Sequence, residues 1–114
     1  MLIRLSMLAL LAATPALAET ATGDAIRAAI GGNTVQGNMT SSGAYSEFYA
    51  VDGVIKGKDY AGEWTIDADR MCFKYGEDPA TCWNAAIKGD AVTWINDGNE
   101  AGTGTIVAGN PNGF

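Results

Sequence analysis

The chain's two cysteines, Cys72 and Cys82, lie in the stretch CFKYGEDPATCW. Three chemistries are open to such a pair: thiol exchange, metal ligation and a structural disulfide. Redox catalysis wants C-x-x-C at a helix start, where a thiolate is stabilised, and that spacing is absent. A zinc site wants four Cys or His ligands, and the chain has no histidine. The structural bond remains. If Met71 to Tyr75 and Thr81 to Ile87 are antiparallel neighbours joined by GEDPA, a turn centred on Glu77 sets Cys72 opposite Cys82 and Met71 beside Trp83, within bonding reach.

The missing histidine also removes every Ser-His and Cys-His arrangement and the commonest general base. Ser41, Ser42 and Ser46 occupy no G-x-S-x-G elbow. A glycosidase-type carboxylate pair could be drawn only from Glu47, Glu63, Asp67, Asp69, Glu77, Asp78 and Glu100, a list that any acidic protein offers. Asp97-Gly98-Asn99-Glu100 supplies oxygen ligands but not the spacing of a calcium loop, and a tight turn explains it better. Neither a cofactor nor a metal is expected. Trp64, Trp83 and Trp94 read first as core residues. The alternative is that one or more of them stacks on a flat ligand.

The residues before these carry an address. Arg4 gives a positive start, Leu5 to Ala13 an apolar run and Ala16-Leu17-Ala18 a small-x-small cleavage site, so residues 1–18 read as a secretory signal peptide and 19–114 as one small domain. The apolar run is too short to span a bilayer and Pro15 interrupts it. Export to the periplasm would favour pairing of the cysteines. The chain carries 7 Lys and Arg against 13 Asp and Glu, and Arg4 leaves with the leader. With Lys56, Lys58, Lys74 and Lys88 scattered, nucleic acid and anionic lipid are poor partners.

Past the leader, TGDAIRAAIGG predicts one short helix, capped by Thr22 or Asp24 and ended by Gly31-Gly32, with Ile26, Ala29 and Ile30 on its apolar face. Strands follow at NTVQGNM, AYSEFYAV, VIKG, EWTID, RMCFKY, TCWNAAI, AVTWIN and GTGTIV, with Asp52-Gly53 predicting a type I′ hairpin turn. Alternation groups Trp64 with Ile66, Met71 with Phe73 and Tyr75, and Val92 with Trp94. The fold class predicted is all-β: about eight short antiparallel strands in a meander forming a small barrel or half-barrel, with one helix and one disulfide. Gly37, Gly57, Gly62, Gly102 and Gly104 fall inside strands and predict bends or bulges. The strands are too short for a membrane barrel, and the ending NPNGF cannot continue a lipid-facing strand.

GNTV after a short helix, then FYAVDGVIKG, GEWTIDADRMCFKY, CW and a final DG hairpin, resemble a group of small exported proteins from alphaproteobacteria. The resemblance covers most of Ala25 to Asn110 and implies a periplasmic β domain with one disulfide; it carries no activity. Gly62-Glu63-Trp64 is also similar to the G-x-W of lipocalins, avidin-like barrels and periplasmic inhibitors of secreted metalloproteases. In those families the indole plugs one barrel end. They place the motif near the amino terminus, whereas here it sits in the fourth strand.

The function expected is therefore non-catalytic binding in the periplasm by a monomer, with a protein, a peptide or a small apolar ligand as partner. The alternatives are an inhibitor of a secreted or periplasmic hydrolase and, behind it, a small carbohydrate-acting enzyme using carboxylates.

Overall fold

The computed structural model describes Glu19–Phe114; the predicted leader, residues 1–18, lies outside the described residues. Helix α1 (Gly23–Ile30) begins at Thr22, whose hydroxyl accepts a hydrogen bond from the Ala25 N–H at 3.2 Å. Of the two capping candidates Thr22 takes the role, and Asp24 sits in the first turn, where its charge suits the positive end of the helix. The Asp69 carboxylate accepts from the Gly23 N–H at 2.9 Å and ties the helix start to a hairpin of the sheet. At the other end the Gly31 N–H bonds back to the Arg27 carbonyl, and Gly32, at φ 79°, turns the chain into the first strand.

Eight strands follow: β1 (Asn33–Met39), β2 (Gly43–Tyr49), β3 (Val54–Gly57), β4 (Tyr60–Asp67), β5 (Arg70–Lys74), β6 (Thr81–Lys88), β7 (Ala91–Asn96) and β8 (Asn99–Ala108). Each pairs antiparallel with the next, and β8 returns to β1 from Asn33↔Ala108 to Met39↔Gly102, so the barrel is closed and not half-open. Closure removes both sheet edges. Gly37 faces Gly104 across that last ladder, and a Cβ on Gly37 would strike the Thr103 carbonyl. A close approach of backbones, not a bulge, explains this pair. The register shift between Trp94 and Ile95 leaves Ala101 of β8 without a partner beside Gly102, one of the glycines expected to mark a bend or bulge.

Period-two alternation sorts the side chains. Val35, Tyr49, Ile55, Trp64, Met71, Phe73, Ala85, Val92 and Trp94 fill the interior with Ile26 and Ile30 of the helix. Gln36, Lys56, Glu63, Thr65, Lys74, Thr103 and Thr105 face solvent. This polar exterior is the reverse of a lipid-facing barrel. No described helix is long and apolar enough to cross a membrane.

Cys72 pairs with Cys82 and Met71 with Trp83, the register expected from the sequence, and the two cysteines form a disulfide with Cα atoms 4.0 Å apart. Met71 and Phe73 point inward, so the bond lies on the outer face of β5 and β6. Its presence fits an oxidising compartment.

The turns depart from expectation at one place. Asp52-Gly53 does not form a type I′ turn: the chain turns over Ala50–Gly53, closed by the Gly53 N–H to the Ala50 carbonyl at 3.0 Å, and Gly53 alone takes positive φ. Type I′ geometry needs positive φ at both central residues. Asp97 (φ 49°) and Gly98 (φ 78°) meet that condition between the paired Asn96 and Asn99. The segment weighed for calcium is thus a hairpin turn. A further two-residue turn, Lys58-Asp59, joins β3 to β4 and extends β4 back to Tyr60. The carboxy-terminal segment is ordered: Gly109 accepts from the Thr34 hydroxyl at 2.7 Å and donates to the Asn33 side chain at 3.1 Å.

Candidate functional site

The two ends of the barrel are built differently. At the end where β1 starts, the helix lies across the opening, and Ile26, Ile30 and Trp64 are buried together. The Trp64 indole donates to the Ala50 carbonyl at 2.8 Å and carries the Arg27 guanidinium 5.4 Å above its ring. This indole plugs the barrel and is absent from the lining of the cavity at the other end. A layer of edge-to-face aromatic rings crosses the middle: Trp64 against Tyr49, Tyr49 against Phe73, and Phe73 against Trp94.

Beyond that layer the barrel is hollow. A cavity of about 690 Å³ opens at the other end, with Tyr49, Phe73 and Trp94 on its floor, Trp83 on its wall and Ser41 and Ser42 at its rim. Of the three tryptophans considered for ligand stacking, Trp83 and Trp94 line this space and Trp64 does not. Trp94 is nearly closed off, with its indole N–H donated to the Tyr45 hydroxyl at 2.9 Å, while Trp83 is partly exposed. Tyr45 in turn donates to the Thr103 carbonyl at 3.0 Å.

On the cavity wall stands Glu47, a carboxylate only 5% exposed. It faces inward because it shares the inner face of β2 with Tyr45 and Tyr49, two residues away on either side. Three phenols donate to it. Tyr49 reaches Oε1 at 2.8 Å, Tyr60 reaches Oε2 at 2.8 Å, and Tyr75 lies 2.9 Å from Oε1 and 2.8 Å from Oε2. Among the described residues no Lys or Arg lines the cavity, and Glu47 is the one carboxylate in its lining. Burial, followed by the charge and hydrogen bonding of Glu47, pushes all three phenols above the ordinary tyrosine range, so they remain donors. Tyr45 is raised as well, chiefly by burial and partly offset by the Trp94 N–H.

Strand glycines seat these rings. A Cβ on Gly57 would collide with the Tyr60 ring, one on Gly62 would come within 2.7 Å of Tyr75 Cδ1, and one on Gly104 would meet the Tyr45 hydroxyl. These three glycines were expected to mark bends or bulges. Gly57 and Gly62 leave flat ground on which the Tyr60 and Tyr75 rings lie, and Gly104 leaves room for the Tyr45 hydroxyl and Val35. At Gly62 the adjacent backbone is also close, with the Lys74 carbonyl 2.8 Å from the same Cβ position.

Sequence reasoning held Glu47 as one of seven carboxylates and singled out none of its tyrosines. The signal was Tyr45-x-Glu47-x-Tyr49: in a strand of period two, a Glu between two aromatics must point the way they point. A carboxylate pair for glycoside hydrolysis is not assembled in the cavity, since Glu63, Asp67, Asp69, Glu77, Asp78 and Glu100 all lie outside its lining. No group of three Cys, Asp or Glu suited to a metal ion occurs among the described residues. No protein-family model, curated protein or solved structure matches this chain.

Proposed function

We propose that this protein is an exported, soluble binding protein of the periplasm that takes a small organic ligand into the open end of its barrel and performs no chemistry on it. The observation that carries the reading is the cavity of about 690 Å³, which falls within the range of small-molecule sites and is largely aromatic with a few convergent polar groups. Trp83 is the stacking surface. The disulfide fits an oxidising compartment, and the polar exterior suits an aqueous one.

The test is tryptophan emission during titration with small molecules extracted from periplasm. A saturable quench or shift that is lost in Trp83→Ala supports the reading. An unchanged spectrum across all fractions contradicts it.

A second reading, inhibition of a hydrolase, draws on one feature: the exposed Gly76–Ala80 loop is held at its base by the Cys72–Cys82 bond. Replacing Glu77 and Asp78 by serine, both outside the cavity lining, would abolish inhibition of a protease panel under that reading. Ligand-dependent fluorescence would survive the same replacement under the first.

A further inference from the structure

The interior of this barrel has a polarity of one sign. Glu47 is almost wholly buried, yet the groups around it are phenols and not cations. The ion pair found among the described residues, Arg70 with Asp67 at 3.5 Å, is exposed and outside the cavity. A buried carboxylate without a counter-charge is costly, and hydrogen bonds offset that cost only in part.

The hydrogen-bond count sharpens the point. An ionised carboxylate offers about four lone-pair positions. Three phenols bring three protons, because Tyr75 has one O–H to share between the two oxygens it approaches. One acceptor position is left over. With their protons turned toward Glu47, Tyr60 and Tyr75 expose oxygen lone pairs and ring faces, and Tyr49, Phe73, Trp83 and Trp94 add further π surface. Every one of these features attracts positive charge or an N–H donor.

The geometry points to a ligand that is an organic cation: a protonated amine whose N–H fills the open acceptor position of Glu47 while its apolar body lies over the aromatic floor. This deepens the proposed small-ligand function and rests on it. An anion is excluded by Glu47 itself, and a neutral apolar molecule leaves the carboxylate's last position empty. The chain's net charge of −6 adds a weak field that concentrates cations near the mouth.

The experiment is a calorimetric titration of the folded, disulfide-bonded protein with three matched probes: phenethylamine, 2-phenylethanol and phenylacetate. The amine is expected to bind about tenfold or more tightly than the alcohol, with the carboxylate weakest, and Glu47→Gln is expected to reduce the amine's advantage over the alcohol to about twofold or less. If Glu47→Gln does not fold, intermolecular nuclear Overhauser contacts in the wild-type complex serve instead. The methylene beside the ammonium should contact Tyr60 and Tyr75 ring protons and not the Met39 methyl at the rim. Equal affinity for amine and alcohol, or a preference for phenylacetate, overturns the cation assignment and leaves a small-ligand site standing. Failure of all three probes to bind at millimolar concentration removes both.

Discussion

The two halves of this barrel use the same alternating strands for opposite ends. In the half under α1, the inward positions are Ile26, Ile30, Val35, Ile55 and Trp64, and the space is filled. In the other half the inward positions are Tyr45, Glu47, Tyr60, Tyr75 and Trp83, and the space is left open. The aromatic layer through Tyr49, Phe73 and Trp94 divides them. A domain this small draws its stability from limited buried area, so a hollow half places the burden on the plugged half and on the disulfide. The plugged end is where mutations should cost the fold; the open end is where they should cost selectivity.

The largest expected loss is at the plug. Trp64→Ala removes a nearly buried indole and its bond to Ala50, and should lower unfolding free energy by about 3–5 kcal/mol in urea titration. A loss below about 1 kcal/mol would mean that the helix end does not carry the fold. Removing the Cys72–Cys82 bond by a double serine substitution should cost about 2–3 kcal/mol, since it closes a short loop. Ligand-dependent fluorescence should persist at temperatures below the lowered midpoint.

At the open end, Gly62→Ala sets a methyl against Tyr75 and the Lys74 carbonyl. Overpacking of this kind costs about 1–3 kcal/mol, and it should also displace the Tyr75 phenol from Glu47, read as a change in the Tyr75 ring signals. Tyr75→Phe withdraws one donor from the buried carboxylate and should cost about 1–2 kcal/mol.

The smallest effect is one of pH. Tyr45, Tyr49, Tyr60 and Tyr75 all have folded pKa values above 10.0, so the unfolded chain loses phenolic protons first as pH rises. Their contribution is complete below pH 10, and stability falls as pH climbs above it. The melting temperature should therefore drop from about pH 10 upward, and less steeply in Tyr75→Phe. A flat profile there would show that these phenols are not held by the fold.

The outline of the barrel was legible because local signals agreed. Ile26 and Ile30 at helical spacing, the two cysteines at matched distance from Glu77, and glycine or aspartate at each reversal all pointed to one register. Asp52-Gly53 misled because turn type depends on how the flanking strands pair: with the Ala50 N–H bonded to the Val54 carbonyl, the reversal is four residues long and needs only one left-handed residue. The tyrosine cluster was not legible for another reason. Tyr49 lies on β2, Tyr60 on β4 and Tyr75 just past the end of β5, and only the curl of the sheet across these neighbours brings their hydroxyls to one carboxylate. The seats at Gly57, Gly62 and Gly104 were visible as glycines, but which side chain lies against each follows from cross-strand register.

The most direct test of the filled and open halves is a chemical-shift map of the isotope-labelled protein on adding phenethylamine. The account predicts that signals of Tyr45, Tyr60, Phe73, Tyr75 and Trp83 move together and saturate, while those of Ile26, Ile30 and Trp64 stay in place. Shifts spread evenly over both groups, or confined to the helix end, would contradict it.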